Sequence, residues 1–149
     1  MTTLAILAAL VVIGLAAFVR LAPADFALWH VDIGTDLPAE QGPCADHITA
    51  GLGAARAVCL LPEGFDTVLA RLDAIATATP RTKRLTGDPA SGRITWVTRS
   101  AVWGFPDYIT AQTLRTPDGT RLEIIARLRF GGSDFGVNAA RLRDWLAAL

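Results

Sequence analysis

The sequence has no excess of charge of either sign, because 14 Lys and Arg residues balance 14 Asp and Glu residues over 149 positions. Proteins that bind nucleic acid through its phosphates generally carry a strongly basic field, so no nucleic-acid partner is expected. Internal repeats and low-complexity tracts are also absent. The length therefore predicts one domain of ordinary size behind a short N-terminal segment.

Residues typical of known catalytic centres are scarce. The two histidines, His30 and His47, lie in a region without regular periodicity, and neither Ser100 nor Ser133 lies in a GxSxG motif. Walker A and GxGxxG sequences are absent as well. We therefore assign no catalytic residue and expect no cofactor.

The chain has only two cysteines, Cys44 and Cys59. Together with His47 they supply too few ligands, at the wrong spacing, for a structural zinc centre, so no metal site is expected. In an oxidising compartment the two thiols could close a disulfide. A loop of about fifteen residues would then stabilise the domain by roughly 3 kcal/mol in the loop-entropy description.

Residues 2–19 form a long apolar run that has no charged side chain before Arg20. As a helix rising 1.5 Å per residue, and extended slightly at each end, the run can just cross a hydrocarbon core of about 30 Å. We predict a transmembrane anchor over residues 1–22. The alternatives are a buried core helix and a cleaved signal peptide, for which Ala22-Pro23-Ala24 offers a site, although no Lys or Arg precedes the run.

The orientation of such an anchor depends on few residues. Arg20 alone weakly favours a cytoplasmic domain under the positive-inside rule. An apolar segment at the start of a chain commonly acts as an uncleaved export signal, and a cysteine pair suits an oxidising compartment. We expect a single-pass membrane protein whose domain is periplasmic or otherwise extracytoplasmic, with the lipid bilayer as its first partner.

Two helices are predicted in the globular part, residues 62–149, whereas residues 23–61 are interpreted as a linker and irregular cover segment. Apolar residues recur at helical spacing over residues 65–76, and Asp73 is assigned to the solvated face of that helix. The chain ends in a second helix, with Asn138 as a favoured N-cap residue.

Between the helices the chain is rich in β-branched and aromatic residues, which predicts several antiparallel strands. In the last strand, residues 121–130, even-numbered positions are apolar and are predicted to face the core, while odd-numbered positions face outward. Helices on one face of an antiparallel sheet make a two-layer α+β domain with about two packed helices.

Three motifs in order resemble a bacterial family known as domain of unknown function 1499: VTRS at 97–100, WGFPDY at 103–108 and RLRFGGSDFGVN at 127–138. Members often begin with a hydrophobic helix followed by a stretch like residues 20–23 here. The resemblance implies a membrane-anchored protein and supplies no activity. The segment from Cys44 to Cys59 departs from the family pattern, so the resemblance implies nothing about the cysteines.

Arginines recur on the outward face of the predicted sheet: Arg121, Arg127 and Arg129, joined by Arg93 and Arg99 if the strands pair with matching parity. Guanidinium groups suit phosphate or carboxylate recognition, and beside a bilayer they could contact anionic headgroups. The alternative is a solvated face whose charges are balanced by nearby carboxylates.

Two loops offer further candidates. The glycine-rich loop at 131–138 could present backbone N–H groups to an anion, or its Ser133, Asp134 and Asn138 could simply cap the turn and helix. The aromatic turn that contains Asp107 could line a pocket, meet the membrane interface or fill the edge of the core.

The candidate binding residues are Arg99, Asp107, Arg127, Arg129, Ser133, Asp134 and Asn138. We expect a membrane-anchored, non-enzymatic accessory or binding protein that meets a protein partner, a lipid or an envelope component. The alternative is a small membrane-tethered hydrolase that uses the loops around Asp107 and residues 133–138. Convergence of Arg99, Asp107, Arg127 and Asp134 in a deep pocket would favour the hydrolase.

Overall fold

The computed structural model describes residues 2–34 and 36–149, and it confirms the predicted α+β class. Over these residues the helices and strands follow in the order α1 (Thr2–Leu21), α2 (Phe26–Trp29), β1 (Glu40–Gln41), β2 (Ile48–Ala50), β3 (Ala54–Leu61), α3 (Phe65–Ala78), β4 (Thr82–Asp88), β5 (Arg93–Arg99), β6 (Pro106–Thr116), β7 (Gly119–Leu128) and α4 (Val137–Ala147), with a 3₁₀ helix Cys44–His47 between β1 and β2.

The strands of the described residues form one seven-stranded sheet in the order β1-β3-β7-β6-β5-β4, with β2 also paired to β3. All pairs are antiparallel except β1 with β3. The long strands β6 and β7 form the central hairpin, whose turn brings Thr116 opposite Gly119. The sheet is therefore built mainly from sequence neighbours, with β3 added beside β7 from the earlier part of the chain.

Helices α3 and α4 pack on one face of this sheet and enclose the core. The predicted alternation in β7 is confirmed on this side, since Leu122, Ile124 and Ala126 are fully buried. They pack with fully or almost fully buried residues of the other elements: Leu69 and Leu72 of α3, Ile94 and Trp96 of β5, and Leu142 and Trp145 of α4. Each large apolar side chain buried in this way contributes roughly 1.5–3 kcal/mol to folding.

Asp73 of α3 lies in this core rather than on the predicted solvated face. The indole Nε1 of Trp96 donates a hydrogen bond to Asp73 Oδ1 at 2.8 Å, and Arg84 Nε donates to the same oxygen at 3.0 Å. A buried carboxylate is stable when a cation and hydrogen-bond donors compensate its lost hydration. The periodicity of α3 alone did not reveal these partners, because both come from the sheet.

The interpretation of the region before residue 62 as irregular is wrong for Ala54–Leu61, which pair with β7 over eight residues as an interior strand. Earlier in the region, a segment that contains the short helix α2 crosses the sheet face opposite α3 and α4. We call this segment the strap, residues 22–34 and 36–38. Trp29 of the strap stacks on Tyr108 of β6, with ring centroids 4.0 Å apart and an interplanar angle of 8°.

Cys44 of the 3₁₀ helix and Cys59 of β3 are joined by a disulfide, and both residues are buried. The bond links the short elements at one edge of the sheet to the strand that pairs with β7. It therefore closes a loop of fifteen residues onto the centre of the domain.

Within the described residues, α1 is the one helix long and apolar enough to cross a membrane, with a mean hydropathy of 2.6 over Thr3–Leu21 and only 6% of that stretch buried. Its exposure argues against a buried core helix. The last turn contacts the domain: Val19 is buried, and Phe18 packs edge-on against Phe130 at 6.1 Å. The helix therefore leaves the domain as an apolar extension whose composition fits a single membrane span.

Candidate functional site

The strand register places the arginines of β5 and β7 on one sheet face, opposite α3 and α4. Thr95 lies across from Thr110, and Thr110 across from Ile125, which aligns the odd-numbered positions of both strands. The strap covers this face: Arg129 donates to the carbonyl of Pro23, Arg127 to that of Trp29 and Arg121 to that of Leu37, while Arg93 pairs with Asp32. The face predicted to be outward is thus covered by the chain itself.

Beneath the strap lies a polar network built on Glu123, which is fully buried. Gln112 Nε2 donates to Glu123 at 2.8 Å, and Arg121 Nε donates at 2.6 Å. Arg127 donates to the carbonyl of Trp29 at 2.8 Å, and burial lowers the pKa of its guanidinium. Arg127 and Arg129 both donate to carbonyls of the strap and so hold it on the sheet, while Arg127 Nε is buried without a hydrogen-bond partner.

Asp107, Asp134 and Asn138 form a second cluster at the start of α4. Asp107 pairs with Arg141 at 3.2 Å. Burial raises the pKa of Asp107, and the negative charge of Asp134 raises it further, while Arg141 acts in the opposite direction. Asp134 accepts hydrogen bonds from the backbone N–H groups of Asn138, at 2.8 Å, and Gly136, at 3.1 Å. The N-cap residue of α4 is Gly136, and Asp134 supplies a side-chain acceptor for the first turn. The N-cap prediction for Asn138 is wrong because this residue lies inside the helix.

Asp107, Ser133 and Asp134 line a groove of about 420 Å³. Its apolar wall is formed by Phe105, Leu128, Phe130, Phe135 and Val137. Ser133 Oγ accepts from the backbone N–H of Phe135 at 3.1 Å and so shapes the loop. Arg99 lies in a different cavity, and Arg127 lies under the strap. The four residues whose convergence would favour a hydrolase are therefore divided among three places.

A second cavity, of about 410 Å³, is strongly basic. We call it the basic pocket; its lining residues are Arg20, Arg81, Lys83, Val97, Arg99, Ser100, Ala101 and Gly104. They come from the end of α1, the start of β4, the end of β5 and the following loop. Of these residues only Arg99 was among the sequence candidates, because the others are close together only in the folded chain. The one feature of the sequence that could have indicated Arg81 and Lys83 is the basic run Arg81-Thr82-Lys83-Arg84.

The three arginines of the basic pocket are positioned by backbone carbonyls. Arg20 Nη2 donates to the carbonyl of Val102 at 2.7 Å, Arg99 Nη1 to that of Gly104 at 2.9 Å, and Arg81 Nε to that of Arg99 at 3.2 Å. Across residues 2–34 and 36–149, none of the ion pairs includes a cation of this pocket. The carbonyls orient the charges without neutralising them, which leaves an electropositive cavity.

A family model matches residues 58–149, which is more than half of the chain. The chain belongs to the family described as Protein of unknown function (DUF1499). No curated protein matches the sequence. A crystal structure of DR_A0006 from Deinococcus radiodurans is similar at 14% identity, covers 70% of each chain and has a TM-score of 0.25, a likeness too low to support an argument.

The DUF1499 match includes three cations of the basic pocket, Arg81, Lys83 and Arg99, whereas Arg20 and the strap lie before it. Beside the pocket, the loop after β5 exposes Val102 by 73% and Trp103 by 46%. Phe135, on the loop before α4, is 95% exposed. These apolar side chains, together with the basic pocket, lie at the end of the DUF1499 domain where α1 is attached.

Proposed function

We propose that this DUF1499 protein is a membrane-anchored accessory protein that holds its α+β domain against one surface of a bilayer and presents it to a protein partner, a lipid or an envelope component. The observation that carries the proposal is the joint between α1 and the domain. An exposed apolar helix of membrane-spanning length ends in side chains that are fixed to the domain by direct contacts.

The contacts between α1 and the domain predict which end of the domain faces the bilayer. Arg20 is hydrogen-bonded to the loop after β5, and Arg99 Nη1 donates to the carbonyl of Val19 at 3.4 Å. With α1 in the bilayer, these contacts bring the end of the domain that bears Trp103 and Phe135 to the headgroup region. Tryptophan is enriched at that depth because its ring is largely apolar but carries a polar N–H, and the exposed ring of Phe135 adds apolar surface beside it.

We place the domain on the extracytoplasmic side. The support is the Cys44–Cys59 disulfide, because such bonds persist in oxidising compartments and are rare in the cytosol. A C-terminal alkaline phosphatase fusion is expected to be active and a C-terminal green fluorescent protein fusion dark. The reverse pattern would overturn this orientation.

Carbonate extraction of membranes tests the anchor itself. The full-length chain is expected in the membrane pellet, and Leu10→Arg/Ile13→Arg is expected to move it to the supernatant, because each arginine at the centre of a span costs roughly 2.5–3.5 kcal/mol. The matched control is Leu28→Arg/Leu52→Arg, which changes two exposed leucines outside α1. Release of the unmodified chain, or a mature chain that begins after Ala24, would overturn the proposal.

A photoreactive amino acid at Phe135 or Trp103 tests whether this end of the domain is the presenting surface. Adducts are expected from these two positions and not from Arg115, which is exposed near the opposite end of β6. A protein adduct, identified by mass spectrometry, or a lipid adduct would each define the class of partner. Equal labelling from all three positions would argue against a defined surface.

A further inference from the structure

The lining of the basic pocket carries positive charge and no acidic side chain. Four cationic side chains line a cavity of about 410 Å³ whose other lining residues, Val97, Ser100, Ala101 and Gly104, carry no acid. The arginines donate to carbonyls, so their positive charge stays uncompensated. Arginine forks and a lysine ammonium are the groups proteins use to bind phosphate oxygens.

The position of the basic pocket relative to the bilayer follows from its attachment to α1. Arg20 lies in the last turn of the apolar helix and is also a wall of the pocket. If α1 spans the hydrocarbon core, a residue at its end lies in the headgroup layer, which adds roughly 5–7 Å on each side of the core. The exposed Val102 and Trp103 adjoin the pocket through Arg20 and offer contact to the glycerol and upper acyl region.

Gly104 makes the approach of Arg20 to the pocket wall possible. Its φ of +75° is in the left-handed region, and a Cβ built on it would lie 2.9 Å from Arg20 Cγ. Gly104 therefore satisfies both the turn geometry and the close passage of the arginine stem. The loop after β5 is shaped around Arg20, which links the pocket to the anchor.

We propose that the basic pocket binds the phosphate of an anionic phospholipid headgroup at the membrane surface. The inference rests on the membrane anchoring proposed above and names the ligand class of that same end of the domain. Arg20 and Arg99 bind from the side of α1, while Arg81 and Lys83 bind from the sheet edge. The headgroup thereby ties the domain to the bilayer at a second point.

Binding is tested on the full-length chain in nonionic detergent micelles, titrated with phosphatidylglycerol that carries a fluorescent acyl chain, with bound lipids counted by native mass spectrometry. The variant is Arg81→Gln/Lys83→Gln, and the matched control is Arg115→Gln/Arg143→Gln, which removes the same charge from exposed sites elsewhere. Each basic residue near an anionic headgroup is worth about fivefold in affinity, so the pocket variant is expected to bind roughly 25-fold more weakly.

The control is expected to bind like the unmodified chain, and phosphatidylcholine is expected to bind much more weakly than phosphatidylglycerol. Equal losses in the two variants, or no loss in the pocket variant, would overturn the inference. Thermal unfolding of each variant checks folding. If the double variant fails to fold, Lys83→Gln alone is used, since Lys83 is exposed, and about a fivefold loss is expected.

Two further experiments complete the test. One distinguishes a lipid phosphate from a soluble phosphate, and the other distinguishes failure of the lipid inference from failure of the proposed membrane anchor. Inorganic phosphate and glycerol 3-phosphate are expected to compete poorly; competition as strong as that of the lipid would assign the pocket to a soluble ligand and overturn the lipid inference. Carbonate extraction is run in parallel. A chain that stays in membranes without headgroup preference refutes this inference alone, whereas a chain that is released refutes the anchor.

Discussion

Arg81 has a backbone conformation that non-glycine residues rarely adopt, with φ at 61° in the turn between α3 and β4. Such a conformation costs roughly 1–2 kcal/mol and persists where surrounding contacts hold it. Here the backbone N–H of Arg99 donates to the carbonyl of Arg81 at 3.1 Å, and Arg81 Nε donates back to the carbonyl of Arg99. The paired contacts fix one wall of the basic pocket.

Asp73 provides a residue-scale prediction about stability. Asp73→Ala leaves the buried indole N–H of Trp96 without its acceptor, which is expected to lower the free energy of unfolding by about 1–3 kcal/mol. Asp73→Asn keeps an acceptor oxygen and is expected to cost less. Urea unfolding followed by circular dichroism measures both, with Asp144→Ala, an exposed carboxylate of α4, as the control. Equal effects of all three substitutions would contradict the interpretation.

His30 provides a prediction about pH. Its Nδ1 is hydrogen-bonded to Thr95 Oγ1 at 3.0 Å; burial, and secondarily the charge of Arg93, lower the pKa of His30 below 6.5. The unfolded chain therefore binds this proton more readily than the folded chain, so stability falls as the pH drops below the unfolded value. The urea midpoint is expected to fall between about pH 7.5 and pH 5.5, and to fall less in His30→Gln.

Other titratable groups also contribute to the pH dependence of the urea midpoint, in the unmodified chain and in His30→Gln alike. Asp32, which lies close to His30 in the strap and pairs with Arg93, has a pKa lowered by hydrogen bonds from the Gly34 backbone and Gln112, so it titrates below the window tested. The difference between His30→Gln and the unmodified chain isolates His30. Identical pH slopes for the two proteins would refute its contribution.

At the scale of elements, the early part of the chain does more than connect α1 to the domain. The strap covers the arginine face of the sheet, and β3 completes the pairing of β7. The disulfide then ties the segment between them to β3. Because β3 is an interior strand and the disulfide and the strap are joined to the sheet, the elements before residue 62 are part of the folded domain.

Reduction of the disulfide tests this element-scale view. In the loop-entropy description, opening a loop of this size lowers the free energy of unfolding by about 3 kcal/mol. Urea unfolding of the full-length chain with and without reductant is expected to show that difference, and Cys44→Ser/Cys59→Ser is expected to match the reduced protein. Reductant should leave the variant unchanged. An equal reductant effect on the variant would show that another process is responsible.

At the scale of the whole molecule, α1 and the domain meet at a small number of contacts made by Phe18, Val19 and Arg20. A tether that merely restrained diffusion would need none of them. We expect these contacts to give the domain one orientation relative to the helix axis. That orientation is what brings both the basic pocket and the exposed aromatic side chains to the same end of the molecule.

The joint can be tested by distance measurement in lipid nanodiscs. Spin labels at Leu7→Cys in α1 and Asp118→Cys in the β6–β7 turn are expected to give a narrow distance distribution. Arg20→Gln removes the hydrogen bonds to the loop after β5 and is expected to broaden it. Arg71→Gln, on the exposed face of α3, is the control and should leave the distribution narrow. A distribution unaffected by Arg20→Gln would argue against a fixed joint.

Properties set by local pattern could be derived from the sequence alone: the apolar composition of α1, the alternation that buries Leu122 and Ile124, the α+β class and the family resemblance. Each depends on neighbours along the chain, and periodicity reports such neighbours directly. The same reasoning found the glycine-rich loop before α4 and included Asp134 among its capping residues, although it assigned the N-cap position to Asn138 instead of Gly136.

The tertiary structure alone decided what covers the arginine face and where an uncompensated basic cavity remains. Arg127 contacts Trp29 across 98 positions, and Arg20 contacts Val102 across 82. One-dimensional patterns carry no information about contacts at such separations, because parity assigns a side chain to a face without saying what lies above it. Arg127 and Arg129 hold the strap on the sheet, whereas no residue of the strap lines the basic pocket.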